Sequence, residues 1–234
     1  MKLKVHYIIL LALVLGTVSC KKDNYEAPSV SLKGRLLYNG EEVGVEHNQV
    51  KLELYQSGFG KVGAIESTFA QDGTYSQILF DGQYKLLIPN GQGPFRWREN
   101  AAGSRDSLAV SLNGAQTLDL EVIPYYMVRN AVYTKTGTTL TSTFRIDKII
   151  TDANAKNIEY VALYVNKTQF VSATDQIASS GNVIGADILD PANMTLTATI
   201  PSITPTQNYV FARVGVKIVD VEDMVFSPLK KIEF

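Results

Sequence analysis

Two tandem β-sandwiches are the fold this sequence predicts, an all-β class, and three observations carry that expectation. Apolar residues recur with a period of two, glycine-bearing dipeptides punctuate the apolar segments, and no long stretch keeps a helical period. Val50, Leu52 and Leu54 alternate with Lys51, Glu53 and Tyr55, and Tyr84, Leu86 and Ile88 alternate with Gln83, Lys85 and Leu87. Leu140, Ser142, Phe144 and Ile146 keep the same period, as do Met194, Leu196, Ala198 and Ile200 among threonines. Successive strand side chains point to opposite faces, so such segments bury one face and wet the other, as antiparallel sheets do. Between them stand Asn39-Gly40, Asp72-Gly73, Asp81-Gly82, Asn90-Gly91 and Asn113-Gly114, each able to supply the positive φ of a tight hairpin.

The order of elements follows from these signals. Residues 1–19 read as a signal peptide, 20–28 as a tether, 29–124 as the first sandwich and 125–234 as the second. The break is placed at Ile123-Pro124, where the strand containing Leu118, Leu120 and Val122 meets a proline, which removes a ladder donor. A new apolar run then starts at Tyr125-Tyr126-Met127-Val128. Each half holds about 100 residues and roughly seven short strands, the usual content of an immunoglobulin-type sandwich.

The chain has a single cysteine, Cys20. Lys2 and Lys4 precede an apolar run at 8–15, and Gly16-Thr17-Val18-Ser19 supplies small residues ahead of the cysteine. That pattern is a signal peptide, too short to span a membrane. With Cys20 directly after it, the segment resembles the lipobox of bacterial lipoproteins, although Thr17 stands where leucine is usual. The resemblance implies lipidation of Cys20, hence an outer-membrane protein held by a lipid anchor. Residues 21–26 loosely resemble a surface-export tract, which favours the cell surface over the periplasmic face. Loss of Lys2 and Lys4 takes the net charge from −1 to about −3, which argues against nucleic acid as a partner. No thiol is then left for disulfide, metal or nucleophile, and no cofactor is expected.

Two further resemblances cover the halves. Leu32-Lys33-Gly34-Arg35-Leu36, Val50-Lys51-Leu52-Glu53-Leu54-Tyr55, Asp72-Gly73-Thr74-Tyr75 and Asp81-Gly82-Gln83-Tyr84 resemble a carboxypeptidase-regulatory or transthyretin-like sandwich. Tyr209-Val210-Phe211-Ala212-Arg213-Val214-Gly215-Val216, approached by Pro201 and Pro205, resembles a strand of an immunoglobulin or fibronectin-III-like sandwich. Over its whole length the chain is similar to a Bacteroidetes lipoprotein family classed as domain of unknown function 3823. Cys20, Asp72-Gly73-Thr74-Tyr75, Gly93-Pro94-Phe95-Arg96-Trp97 and residues 119–125 carry that similarity. Membership implies glycan handling by association, since the genes of such proteins commonly lie beside those for outer-membrane transporters and glycan-binding lipoproteins of polysaccharide utilisation.

Catalysis is not expected. After processing one histidine remains, His47, which reads as a solvated loop residue; one histidine cannot make a two-histidine metal site. No Gly-x-Ser-x-Gly elbow is present. Glu41, Glu42, Asp220, Glu222 and Asp223 read as wetted carboxylates, although a carboxylate pair would revive a glycoside hydrolase. Asp187 and Asp190 with Asp220 and Asp223 lack the spaced loop of a strong calcium site. Sugar binding has better candidates, because pyranose rings stack on aromatic faces. Trp97, the sole tryptophan, lies with Phe95 and Arg96 in one loop, and Tyr125 and Tyr126 stand at the domain junction. Two readings of that loop stay open: a stacking surface for sugar, or a plug buried between the domains. Asp106-Ser107-Leu108 matches a Bacteroidetes O-glycosylation tripeptide, making Ser107 a candidate modified residue. The expected function is a non-enzymatic accessory of a glycan-utilisation system, binding polysaccharide or host glycan or supporting a transporter complex. A spacer or fimbria-like subunit that contacts proteins is the alternative.

Overall fold

A computed structural model of the protein describes residues 26–58 and 63–234. The expected signal peptide, Cys20 and most of the tether lie outside the described residues. Strands make up both domains, and Gly185–Asp187, a single 3-10 turn, is the one helical element among the described residues. No helix there is long and apolar enough to cross a membrane.

In the first domain the strand Val30–Tyr38 runs antiparallel to Thr74–Leu79, from Val30 opposite Leu79 to Arg35 opposite Thr74. Facing it is a four-stranded sheet in the order Ile65–Thr68, Lys51–Gln56, Gly82–Leu87, Leu108–Leu112. Leu32 and Leu36 from the first sheet meet Leu52, Leu54, Leu86 and Leu112 from the second, all fully buried. Period two thus does what the sequence anticipates: one face of each strand is core and the other is wet. The turns follow their glycines too, with φ of 80° at Gly40, 79° at Gly73 and 82° at Gly91. Asp72 shapes its turn further, its Oδ1 accepting from the Thr74 amide at 3.0 Å and hydroxyl at 2.7 Å. Tyr75 and Tyr84 are buried at the core margin, and their hydroxyls donate to Leu118 O and Phe80 O.

One irregularity needs Gly34. The segment after Leu112 returns alongside Val30–Tyr38 in parallel, pairing first at Gln116–Thr117 and again at Leu120–Glu121. Between the two pairings Leu118 crosses over Gly34 so closely that a Cβ there would lie 1.9 Å from the Leu118 carbonyl oxygen.

The second domain opposes a three-stranded sheet of Tyr126–Thr136, Thr139–Lys148 and Met194–Thr199 to a six-stranded one. The latter is centred on Ile158–Asn166 and Tyr209–Ile218. Leu140, Phe144, Ile146, Leu196 and Ala198 face Val161, Leu163, Val210, Val214 and Val216. Tyr209–Ile218 is covered on its other face as well, where Arg213, Gly215 and a cluster of Ala162, Tyr164, Met224 and Phe226 are buried. The first domain supplies part of that cover. Its Gly44 forms an antiparallel bridge with Phe226, and the Phe226 amide donates to Gly44 O at 3.0 Å. One continuous apolar cluster, including Val43, Trp97, Val122 and Tyr126, runs through both domains. The two sandwiches share a core.

Candidate functional site

The Trp97 loop, left open between a sugar-stacking face and a buried plug, is built into the junction. Phe95–Arg96 pairs with Ile123–Pro124 as a two-stranded sheet. Phe95 is 1% exposed and Trp97 4% exposed, and the Trp97 indole N–H donates to Asp106 O at 3.0 Å. A large aromatic surface gains most by leaving water once its polar edge finds a partner. Tyr126 is buried as well, its hydroxyl donating to Lys156 O. Phe95, Trp97 and Tyr126, named as candidate glycan-binding residues, therefore present no open face to a ligand, which favours the plug of the two readings. Arg96 and Tyr125 keep part of their surface. Arg96 spends its charge on Glu99 at 3.0 Å and on Asp152 across the junction at 3.7 Å, while the Tyr125 amide donates to Pro94 O. Ser107 is half-buried, its amide donating to the Asp106 carboxylate.

Asp223 is another departure from expectation, a buried carboxylate where a wetted one is anticipated. Its Oδ2 accepts from the Gly93 amide at 2.6 Å and so ties the loop to the second domain. Burial pushes its pKa up, Glu222 and Glu46 add to the rise, and the Gly93 bond and Lys217 oppose it. An acid whose folded pKa is raised contributes full stability below its unfolded pKa and loses it as pH climbs through the folded value. Asp223→Asn keeps an oxygen for Gly93 and never ionises. Its melting temperature is therefore expected to match the wild type near pH 3.5 and to exceed it at pH 7, as scanning calorimetry at the two pH values would read.

The main fastening is Arg213, 1% exposed. Nη2 donates to Gln71 O at 2.9 Å and Val45 O at 3.1 Å, Nη1 to Gln71 Oε1 at 3.3 Å, and Nε to Ser227 O at 3.2 Å. Its guanidinium lies 4.2 Å from the Phe226 ring centroid. Burial pushes its pKa down to about 9, still above neutrality. No carboxylate lies within ion-pair distance of it among the described residues. A buried charge held by carbonyls across two domains fixes their angle.

Beside this fastening both domains line an open cleft of about 560 Å³, with Glu42, His47, Gln71 and Asp72 from the first and Gln169, Phe170 and Leu229 from the second. Phe170 is 40% exposed, a large aromatic left partly in water. The backbone around it is held by side chains from both domains, and its ring packs against one neighbour. Gln71 Nε2 donates to Gln169 O at 2.6 Å, Gln71 Oε1 accepts from the Val171 amide at 3.5 Å, and Asn166 Nδ2 donates to Phe170 O at 2.6 Å. His47 packs on it with ring centroids 4.7 Å apart. His47 is half-buried, and its Nδ1 is covered without a hydrogen-bond partner, so it is no free loop side chain. The Asp72 carboxyl, although burial pushes its pKa up, is brought below the usual range by the two bonds from Thr74. It stands ionised at the cleft. An exposed, immobilised aromatic face among amides and carboxylates can stack on an apolar ring face and hydrogen-bond its hydroxyls.

Sequence reasoning misses Phe170, Gln71 and Arg213. Phe170 falls in the aperiodic stretch Lys167-Thr168-Gln169-Phe170, and Gln71 lies 98 positions from the carbonyl it holds. Arg213 did leave a signal: it interrupts Val210-Phe211-Ala212 and Val214-Gly215-Val216, a run without polar alternation, as a strand buried on both faces would be. Among the described residues no group of three or more His, Cys, Asp and Glu is arranged to hold a metal.

No curated protein matches the chain. A family model described as the N-terminal domain of a protein of unknown function (DUF3823) matches residues 30–123, and one described as a domain of unknown function (DUF3823_C) matches 126–231. The structure is similar to that of a DUF3823 family protein from Parabacteroides merdae ATCC 43184, at 31% identity and a TM-score of 0.76, over 89% of this chain and 100% of that one. A DUF3823 family protein from Bacteroides ovatus ATCC 8483 is 30% identical with a TM-score of 0.76, over 88% and 99% of the two chains. A Bacteroides uniformis ATCC 8492 protein provisionally assigned as carbohydrate-binding shares the fold at 18% identity, with a TM-score of 0.66 over 89% and 100%. With family models over both domains and full-length relatives of matching fold, the chain belongs to the DUF3823 family.

Proposed function

We propose that the protein is a carbohydrate-binding accessory lipoprotein and that sugar is held in the junction cleft rather than at the Trp97 loop. The observation that carries this reading is Phe170, exposed at 40% yet clamped by Gln71, Asn166 and His47. An immobilised aromatic loses little conformational freedom on binding, which is how rigid rings serve recognition sites. The provisional assignment of the Bacteroides uniformis relative points the same way. In this reading Cys20 carries the lipid that holds the protein on the outer membrane, facing outward, where a captured glycan passes to a transporter. A half-buried Ser107 beside Asp106 remains the candidate for glycan attachment.

The second reading, a rigid spacer that contacts other proteins, draws on the fixed domain angle set by Arg213 and Asp223. Calorimetry over plant and host oligosaccharides separates the two. Binding is expected for the wild type, and Phe170→Ala is expected to weaken it about tenfold or more, the loss of one stacking contact. As a partly exposed position its melting temperature should move by only about 2 °C. Trp97→Phe, altered inside the core, should keep the affinity. Absence of heat across the whole panel would leave the spacer standing.

A further inference from the structure

A second groove adjoins the cleft. It runs along the flank of the first sandwich with a volume of about 690 Å³, and Glu42, His47 and Ala70 line both spaces. Polar side chains in its walls are Lys33, Asn48, Thr68, Ser76, Thr117 and Asp119. It has little to stack on, the nearest large ring, Tyr75, being 4% exposed and tied to Leu118 O. The two spaces therefore differ in chemistry while sharing a wall. The cleft offers an aromatic face, and the groove offers hydroxyl, amide and charged groups. Each alone has the volume of a pocket for one small ligand.

The charges bear on what fits. Arg35 in the groove is committed to Glu42 by an ion pair, and its amide donates to the Asp119 carboxylate at 3.1 Å. Glu42, Asp72 and Asp119 together outnumber Lys33 and Arg35 along the combined path. A polyanion would meet no surplus of cations, and its carboxylates or sulfates would face carboxylate side chains.

Resting on the carbohydrate reading above, we infer that the ligand is an uncharged oligosaccharide chain several rings long. One ring stacks on Phe170 in the cleft, and the following rings are hydrogen-bonded along the polar groove past His47 to Ser76 and Thr117. Successive weak subsites on one rigid surface add their contributions, so affinity grows with chain length until the groove is filled.

The test is calorimetry of the full soluble chain with malto-, cello-, xylo- and manno-oligosaccharides of one to six rings, and with oligogalacturonates of the same lengths. Within the series that binds, affinity is expected to rise about tenfold or more from two rings to six, and the oligogalacturonates are expected to bind more weakly. Ser76→Trp, an exposed strand position where the indole would fill the groove, is expected to hold six rings to the affinity of two and leave two unchanged. Binding that is flat with length, tighter binding of oligogalacturonate, or a Ser76→Trp variant with wild-type affinity for six rings would each overturn the inference while leaving sugar binding at Phe170 intact. No binding by any of the probes would overturn the carbohydrate reading itself, and the inference with it.

Discussion

Arg213→Ala is expected to lower stability by about 3 kcal/mol or more and to split thermal unfolding into two transitions. The side chain donates to Val45, Gln71 and Ser227 from a site with 1% exposure. Each charge-assisted bond is worth about 1.5–3 kcal/mol, and each buried carbonyl left without a donor costs about 1–3 kcal/mol. Val45 O in the first domain and Ser227 O in the second lose this donor, while Gln71 O keeps the Val45 amide, so each domain is left with an unsatisfied carbonyl. The truncation also leaves a void against Phe226, where the guanidinium now stacks. For a chain of this size 3 kcal/mol corresponds to a fall of about 6–12 °C in melting temperature. Arg213→Lys recovers little, because one ammonium cannot reach the same carbonyls as a planar fork nor stack as well. Scanning calorimetry reads both effects. A variant melting in one transition near the wild-type temperature would mean that the domains are coupled by the shared apolar cluster alone.

Gly34→Ala is the second large effect, and it arises from geometry rather than charge. The added methyl would sit 1.9 Å from the Leu118 carbonyl oxygen and 2.6 Å from its carbon, both backbone atoms, with the Tyr75 ring at 3.0 Å. Leu118 has little freedom to retreat: its amide donates to Lys33 O at 2.7 Å and its carbonyl accepts from the Tyr75 hydroxyl at 2.7 Å. Relief requires opening the parallel pairing on one side of Gly34, so the cost is on the order of 3 kcal/mol or more, the upper range of overpacking. Gly63→Ala is the control. It meets nothing within 4 Å and is expected to leave the melting temperature unchanged. Equal melting of the two variants would show that Leu118 moves freely.

The strands were legible wherever one face is core and the other is water, because period two then writes burial directly into the sequence. Leu52 and Leu54, Leu86 and Ile88, and Leu196 and Ala198 are buried as their spacing anticipates. Positive φ at Gly40, Gly73 and Gly91 follows from the same kind of local rule. What was not legible depends on contacts between domains. Phe95 and Trp97 look alike in sequence whether they await a sugar or fill a core, and only their burial in the apolar cluster that runs through both domains decides it. The cleft is assembled from residues near 42, 71, 170 and 229, which share no spacing. Phe170 announces itself through exposure, a property of the folded surface that the order of residues does not carry.

The central claim is that a sugar ring lies on Phe170 in the cleft between the domains. A crystal structure of the protein soaked with the tightest-binding oligosaccharide tests it most directly. The account predicts a pyranose ring stacked on the Phe170 face beside His47, with the chain continuing along the groove toward Ser76. A sugar bound elsewhere on the protein, with Phe170 uncovered, would contradict it.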